Sequence, residues 1–470
     1  MDTDLSRFLE AAAAIPAGAS RDERWRELVA GLSAEPVPTG RLARLWAMGS
    51  LEARLAITYL LGWLQERFAT EEERASLRDR THLRAAARLF SGMGYLRGAA
   101  LKIGQTIAQF PTVLPRQYID LLSSLHAEVP PMHFSLLREQ VRSELGREPE
   151  EIFAEFETEA FAAASLGQVH GARLASGERV VVKIQYPNIA RTIDEDVANA
   201  RTLLHGMPFL HEWRNTLDVV EEIGGTLRRE CDYRRELENA ERARRALAGL
   251  DEIVVPRTYP ELSTGKILVL ERLGGEHPAP FVARAPSQEE RDRFGTAILR
   301  ANFRLWCSER MIHADPNPAN YLRLPDGRVG LLDFGCVRDF DEGEWEIMRT
   351  STAAIRTGDE GDLRAAVRAM ADLQESELDD PERWRVTREF CDWMWEPLRV
   401  EGDFDFTDGE HLRRGFEVLG ALLRRRYTRM MPVGIWLDRQ ICGLRGLFTL
   451  LECRVPYRRI HEEETARAGI

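Results

Sequence analysis

The stretch HADPNPAN, residues 313–320, holds an aspartate and an asparagine, Asp315 and Asn320, five positions apart. Pro316 and Pro318 forbid regular helix between them, so both side chains stand on a stiff loop. Downstream, VGLLDFGCV closes an apolar run on a second aspartate, Asp333. Upstream, RVVVKI carries Lys183 in a β-branched run, and ECDYRRELENA offers Glu230, Asp232 and Glu236 in a helical pattern. Each has a plain reading when taken singly. A strand lysine usually points to solvent, and acids on a helix usually form a salt-bridged face. Together they match one chemistry. In phosphoryl transfer from a nucleotide, a strand lysine grips phosphate as a point charge and a helix glutamate orients it. A loop aspartate works near the nucleophile, while an asparagine and a second aspartate hold a divalent metal. Mg²⁺ prefers hard oxygen ligands and keeps part of its water shell, so one carboxylate and one amide suffice. Lys183, Glu236, Asp315, Asn320 and Asp333 supply these parts in that order.

Those residues need a β-rich lobe for the lysine and a helical lobe for the loops. Residues 1–85 read as helix without a motif, and residues 86–150 as a helical extension broken at EVPPMHF (128–134). Residues 151–275 read as the β-rich lobe. Within it, AFAAASLGQVHGARLASGERVVVKIQYP is strand, loop, strand, a tight turn at Ala175-Ser176-Gly177, and a third strand. A helical region covers 219–247, followed by strands in IVVPRTYPEL and GKILVLERLGG. Residues 276–470 read as a helical lobe interrupted by the 313–320 loop and a GRVGLLDFG strand. The fold class this predicts is α+β: a protein-kinase-like two-lobe fold with an N-terminal helical extension. The Asp315-to-Asn320 and Asp315-to-Asp333 separations fit the kinase series H-R-D-x-x-x-x-N followed by D-F-G.

One kinase part is missing. A glycine-rich loop normally lets bare backbone amides approach the phosphates. Here FAAASLGQVHG places Ala162, Ala163, Ala164 and Ser165 where glycines would stand, and each methyl restricts φ.

At this point the chain resembles the UbiB/AarF family of atypical kinase-like proteins, associated with ubiquinone and related isoprenoid-lipid metabolism. LKIGQ (101–105) matches the family's K-x-G-Q motif, AAAS (162–165) its alanine-rich nucleotide loop, and VVVKIQYP (180–187) its lysine strand. ECD (230–232) matches its E-x-D motif and DFG (333–335) its metal-binding strand end. The family usually reads H-A-D-P-H-P-G-N, so Asn317 and Ala319 are departures. The resemblance implies ATP and Mg²⁺ as cofactors, with Asp315, Lys183 and Glu236 catalytic and Asn320 and Asp333 on the metal. It implies nucleotide contacts from Ala162 to Ser165, Lys183, and the main chain from Glu271 to Leu273. It also implies a regulatory motif in which Lys102, Gly104 and Gln105 lie on a helix over the cleft, Lys102 pairing with Glu230 or Asp232. The expected activity is a UbiB-type ATPase or small-molecule or lipid kinase with poor or no protein kinase activity, supporting isoprenoid quinone or related lipid metabolism. Two alternatives are a phosphotransferase of the aminoglycoside or choline kinase type and a nucleotide-gated, non-catalytic scaffold for lipid-modifying enzymes.

Composition narrows the partners. With 64 Lys plus Arg against 76 Asp plus Glu, the net charge of −12 argues against a dedicated nucleic-acid binder. The six cysteines form no C-x-x-C pair and read as reduced core residues. The acidic start lacks a basic signal region, and the most apolar stretches are too short or interrupted by charge to span a bilayer. The expected setting is cytoplasmic, with peripheral membrane contact suggested by the arginine-rich amphipathic pattern of FEVLGALLRRRYTRMMPVGIWL (416–437). A core helix with a basic edge is the competing reading of that segment. The expected partners are a nucleotide and a lipid or isoprenoid quinone precursor.

Overall fold

The structure is a computed structural model describing residues 134–164, 166–187 and 227–469, apart from 358, 372–374, 426 and 428–431, with a few positions between 189 and 225. Lys102, Gly104, Gln105 and Ser165 lie outside the described residues.

The described chain opens with α1 (Phe134–Leu145) and strands β1 (Glu155–Phe156), β2 (Ala162–Ala164), β3 (Gly167–Arg173) and β4 (Arg179–Gln185). Helix α2 (Tyr233–Leu247) and strands β5 (Ile253–Val254) and β6 (Ile267–Glu271) follow. Next come α3 (Pro278–Ala283), α4 (Gln288–Glu309), β7 (Met311–His313), β8 (Tyr321–Arg323), β9 (Val329–Leu331) and β10 (Val337–Asp339). The remainder is α5 (Glu342–Thr357), α6 (Glu360–Ala371), α7 (Pro381–Arg399), β11 (Phe404–Asp405), α8 (Glu410–Arg425), α9 (Pro432–Leu451), β12 (Arg454–Val455) and α10 (Tyr457–Ala468). This is an α+β fold.

The first lobe is an antiparallel sheet in the order β1-β3-β4-β6, with β2 also pairing β3. Side chains alternate across a strand. Val180, Val182 and Ile184 therefore share one face, buried with Leu137 and Val141 of α1. Val181 and Lys183 take the opposite face, where Lys183 is registered with Val169 and Leu268. The β-branched run that makes the strand also aims its lysine away from the core. The expected turn is present: Gly177 takes φ of 95°, a left-handed value that glycine adopts without Cβ strain, and its N–H donates to the Leu174 carbonyl.

The second lobe is built around α4 and α9. Phe294, Ile298 and Leu305 of α4 share a core with Leu447, Phe448 and Leu451 of α9, and Ala240, Ala243 and Leu247 of α2 enter the same core. Helix α4 is started by a capping box in which the Ser287 side chain accepts from the Glu290 N–H. Three-residue strands frame the 313–320 loop: β7 pairs β10, and β8 pairs β9.

All six cysteines are free; Cys336, Cys391 and Cys453 are buried. The 416–437 segment turns its apolar side inward. Leu419, Leu422, Val433, Trp436 and Leu437 are buried, and of its described large apolar residues only Phe416 is exposed. The segment's described part follows the core-helix reading, because its apolar face already has a protein partner. Among the described residues no helix is long and apolar enough to cross a membrane.

Candidate functional site

Lys183 is the centre of a partly buried charge cluster. Its Nζ lies 2.9 Å from both Glu236 carboxylate oxygens and 3.0 Å from Asp333 Oδ2. Two devices place Glu236 there. Asp232 caps α2 by accepting from the Arg234 N–H, and the Tyr233 N–H donates to the Gly265 carbonyl next to β6. The first turn of α2 is thereby pinned to the sheet, and Glu236 points at the strand that bears Lys183. Gln185, at the end of β4, donates to the Cys231 carbonyl and ties down the ECD segment. The Tyr233 ring lies 5.1 Å from the ammonium.

The electrostatics follow from two carboxylates sharing one ammonium. Burial alone would lower the lysine's pKa, but Asp333 and Glu236 hold it well above its ordinary value. Burial also opposes ionisation of Asp333, yet Lys183 and the Gly335 N–H bring its carboxyl down to about 2. Glu236 moves the other way: burial, with Asp333 close by, pushes it up to about 7. With both acids ionised the cluster carries one surplus negative charge, which favours a cation beside it.

The second half of the site is the 313–320 loop. Asn320 Nδ2 donates to the main-chain carbonyl and to Oδ2 of Asp315, at 3.0 and 3.1 Å. That leaves Asn320 Oδ1 as the amide atom able to face a cation. Asp315 Oδ1 accepts from Arg439 Nη2 at 3.0 Å, and Arg439 is almost wholly buried. The arginine comes from α9. One turn further along α9, a Cβ added at Gly443 would sit 2.0 Å from Pro316 Cγ. Only glycine allows that approach. His313 joins the halves, its Nε2 lying 2.6 Å from the Asp333 carbonyl. The pair that departs from the family pattern is accommodated locally. The Asn317 side chain accepts from the Ala319 N–H, and Ala319 is not among the described residues with positive φ, so no glycine is required there.

The alanine segment differs from expectation. Ala162 to Ala164 are strand, paired with β3 as far as Ala164↔Gly167. Leu166 is buried with Ile189, Ile312 and Cys336, which anchors the hairpin tip. A Cβ at Gly167 would lie 2.2 Å from the Ile184 carbonyl oxygen, so this glycine serves close strand approach. In the expected adenine segment, the Glu271 N–H already donates to the Arg257 carbonyl and the Arg272 N–H to Arg179. Glu230 and Asp232 flank Cys231 before α2, but their expected partner Lys102 lies outside the described residues.

Sequence reasoning missed Arg439 and Gly443. The available signal was charge within a largely apolar helix, VGIWLDRQICGLRGLFTLL, where Asp438, Arg439 and Arg445 would be costly if left unpaired.

The family model described as "ABC1 atypical kinase-like domain" matches residues 124–366. The chain belongs to the ABC1 atypical kinase-like family. Relatives of this ABC1 chain include the mitochondrial atypical kinase COQ8B of Rattus norvegicus, 30% identical, with 87% of this chain and 77% of the relative covered. The mitochondrial atypical kinase COQ8 of Saccharomyces cerevisiae is 32% identical over 66% of this chain and 62% of its own length. AarF domain-containing protein kinase 1 of Xenopus laevis is 31% identical over 57% of this chain, and the chain spans only 52% of it. A solved complex of Rv3197 with erythromycin from Mycobacterium tuberculosis has a TM-score of 0.55 at 24% identity, covering 84% of this chain and 98% of that one. At that identity it supports the kinase-like fold alone. The UbiB/AarF resemblance read from the motifs and the ABC1 assignment agree, which leaves no support for the aminoglycoside or choline kinase alternative. The K-x-G-Q stretch precedes the matched residues.

Proposed function

We propose that this ABC1 chain binds Mg·ATP in the cleft between β4 and the 313–320 loop and acts as an ATPase or small-molecule or lipid kinase in isoprenoid quinone metabolism. The observation that carries the reading is the Lys183–Glu236–Asp333 cluster beside Asp315 and Asn320. The donor set suits Mg²⁺, since Asp333 and the Oδ1 of Asn320 are hard oxygens and the cluster has a charge surplus. Bound there, Mg²⁺ would supply charge neutralisation for phosphate oxygens. Lys183, relieved of one of its two carboxylates, would turn its ammonium to phosphate while Glu236 keeps it oriented. The stiff hairpin at Leu166 would close over the phosphates without flexible glycines.

A second reading has one observation in its favour. Both Asp315 oxygens already accept a hydrogen bond, one from Arg439 and one from Asn320, so a nucleophile would have to use the second lone pair of an engaged oxygen. A nucleotide-gated scaffold would bind Mg·ATP with the same residues and turn it over slowly. Titration of the full chain with Mg·ATP, followed by ADP release with and without vesicles containing isoprenoid lipid, tests the proposal. Binding with lipid-stimulated release supports the enzyme, binding without release supports the scaffold, and no binding refutes both.

A further inference from the structure

Kinase-like sites work only when the helix bearing the glutamate is held against the strand lysine, and many switch by releasing that helix. In this chain α2 presents Glu236, Asn239 and Arg242 at three-residue spacing, on one face of the helix. Each reaches a different part of the Asp333 segment or its neighbours. Glu236 holds Lys183, which in turn holds Asp333. Asn239 Nδ2 donates to the Phe334 carbonyl at 3.2 Å. Arg242 meets both oxygens of Asp339, at 3.0 and 3.3 Å, and donates to the Glu309 carbonyl at 3.3 Å. Asp339 is itself fixed, because β10 pairs with β7 and the next residue, Phe340, donates to the Arg310 carbonyl.

The segment after Asp333 also lacks a hydroxyl for phosphorylation to act on. From Phe334 to Asp341 it reads FGCVRDFD before α5 begins, with no serine, threonine or tyrosine to accept a phosphate. The charge that would hold the helix is already built in as Asp339.

We infer that Asn239 and Arg242 are positioning residues that hold Glu236 against Lys183, so that α2 is fastened in its nucleotide-ready position without modification of the segment after Asp333. This rests on the nucleotide-binding reading above for its consequence, but not for the fastening itself. A bidentate arginine pair with a backbone contact exceeds a simple surface ion pair, though partial exposure keeps it modest.

The test uses the full chain with Arg242→Met, Asp339→Asn, Glu236→Gln and the double variant R242M/E236Q. Amide exchange of residues 233–242 is read without nucleotide, and Mg·ATP affinity by calorimetry. Loosening of α2 should speed its exchange and weaken Mg·ATP about fivefold in Arg242→Met and in Asp339→Asn. In the Glu236→Gln background, Arg242→Met should add little further loss, because its effect runs through Glu236. The inference is overturned if both single variants keep wild-type exchange in α2, or if the affinity losses of Arg242→Met and Glu236→Gln add in full. Asp339 is half exposed, so its variant serves should Arg242→Met fail to fold. Should the wild-type chain not bind Mg·ATP, the nucleotide reading fails, while the exchange result still decides whether Arg242 fastens α2.

Discussion

Asp315 and Asp333 stand eighteen residues apart on neighbouring loops, yet they are held from opposite sides of the cleft. Asp333 is gripped from the first lobe by Lys183 of β4, which takes one oxygen, while the Gly335 N–H of its own loop takes the other. Asp315 is gripped by the second lobe, through Arg439 of α9, with Gly443 letting Pro316 settle on the same helix. One aspartate shares its cation with a rival carboxylate, whereas the other has a buried guanidinium and an amide arranged around it. The difference teaches that the two loops can be perturbed separately. Changes on the Asp333 side should act on nucleotide and metal binding, and changes on the Asp315 side on turnover.

The largest effect is expected on the Asp333 side. Lys183→Ala removes the ammonium that lies between Glu236 and Asp333, and breaking a buried pair costs about 3–5 kcal/mol. Urea unfolding at pH 8 should show a loss of that order; a loss below about 1 kcal/mol would mean that the cluster is well solvated. On the other side, Arg439→Met leaves Asp315 with Asn320 alone. Because Arg439→Met strips one carboxylate of its cation where Lys183→Ala strips two, we expect a smaller cost of about 2 kcal/mol. ADP release should slow while Mg·ATP affinity stays within about twofold. Equal damage to affinity would erase the distinction between the two sides.

Gly443→Ala sharpens the same comparison. Its methyl would collide with the Pro316 ring and push the 313–320 loop, with overpacking costs of about 1–3 kcal/mol. Turnover measured against nucleotide affinity should again separate, and wild-type turnover would show that the loop's seat on α9 does not matter.

Glu236 provides a pH test. Its folded pKa of about 7 lies above the unfolded carboxylate value, so protonation favours the folded state. That contribution is fully present below pH ~4 and is lost as pH rises through about 7. Relative to Glu236→Gln, which does not titrate, the wild type should therefore gain stability, of order 2 kcal/mol, between pH 8 and pH 5. A pH-independent difference would show that Lys183 keeps Glu236 ionised throughout. The smallest effect is expected at the hairpin. Ala164→Gly should lower stability by about 0.4–1 kcal/mol through unfolded-chain entropy and shift affinity toward ATP over ADP. An unchanged ATP-to-ADP ratio would mean that this strand end does not restrain the phosphates.

The Asp333 side was legible in the sequence because each of its parts lies in a local pattern. A β-branched strand announces Lys183, a helical acidic run announces Glu236, and an apolar run ending in DFG announces Asp333. The Asp315 side was legible only as far as its own loop. Arg439 lies 124 residues away, and no local periodicity links it to an aspartate. The strands around the loops, β7, β8 and β10, are three residues long, too short for a period of two to show. The alanine run read as a loop because small residues carry no alternation of their own, and its strand character comes from pairing with β3. The apolar pattern of 416–437 suggested a membrane surface because a sequence cannot say whether an amphipathic face meets lipid or α7 and the core.

Lys183, Asp333 and Asn320 are proposed to form a Mg²⁺-dependent nucleotide site. Its most direct test is calorimetric titration of the full chain with ATP, with and without Mg²⁺, in the wild type and in Asp333→Asn checked for intact folding by circular dichroism. Binding should strengthen markedly with Mg²⁺ in the wild type, and Asp333→Asn should lose on the order of 100-fold in Mg²⁺-dependent affinity. A folded Asp333→Asn protein that binds Mg·ATP as tightly as the wild type would contradict it.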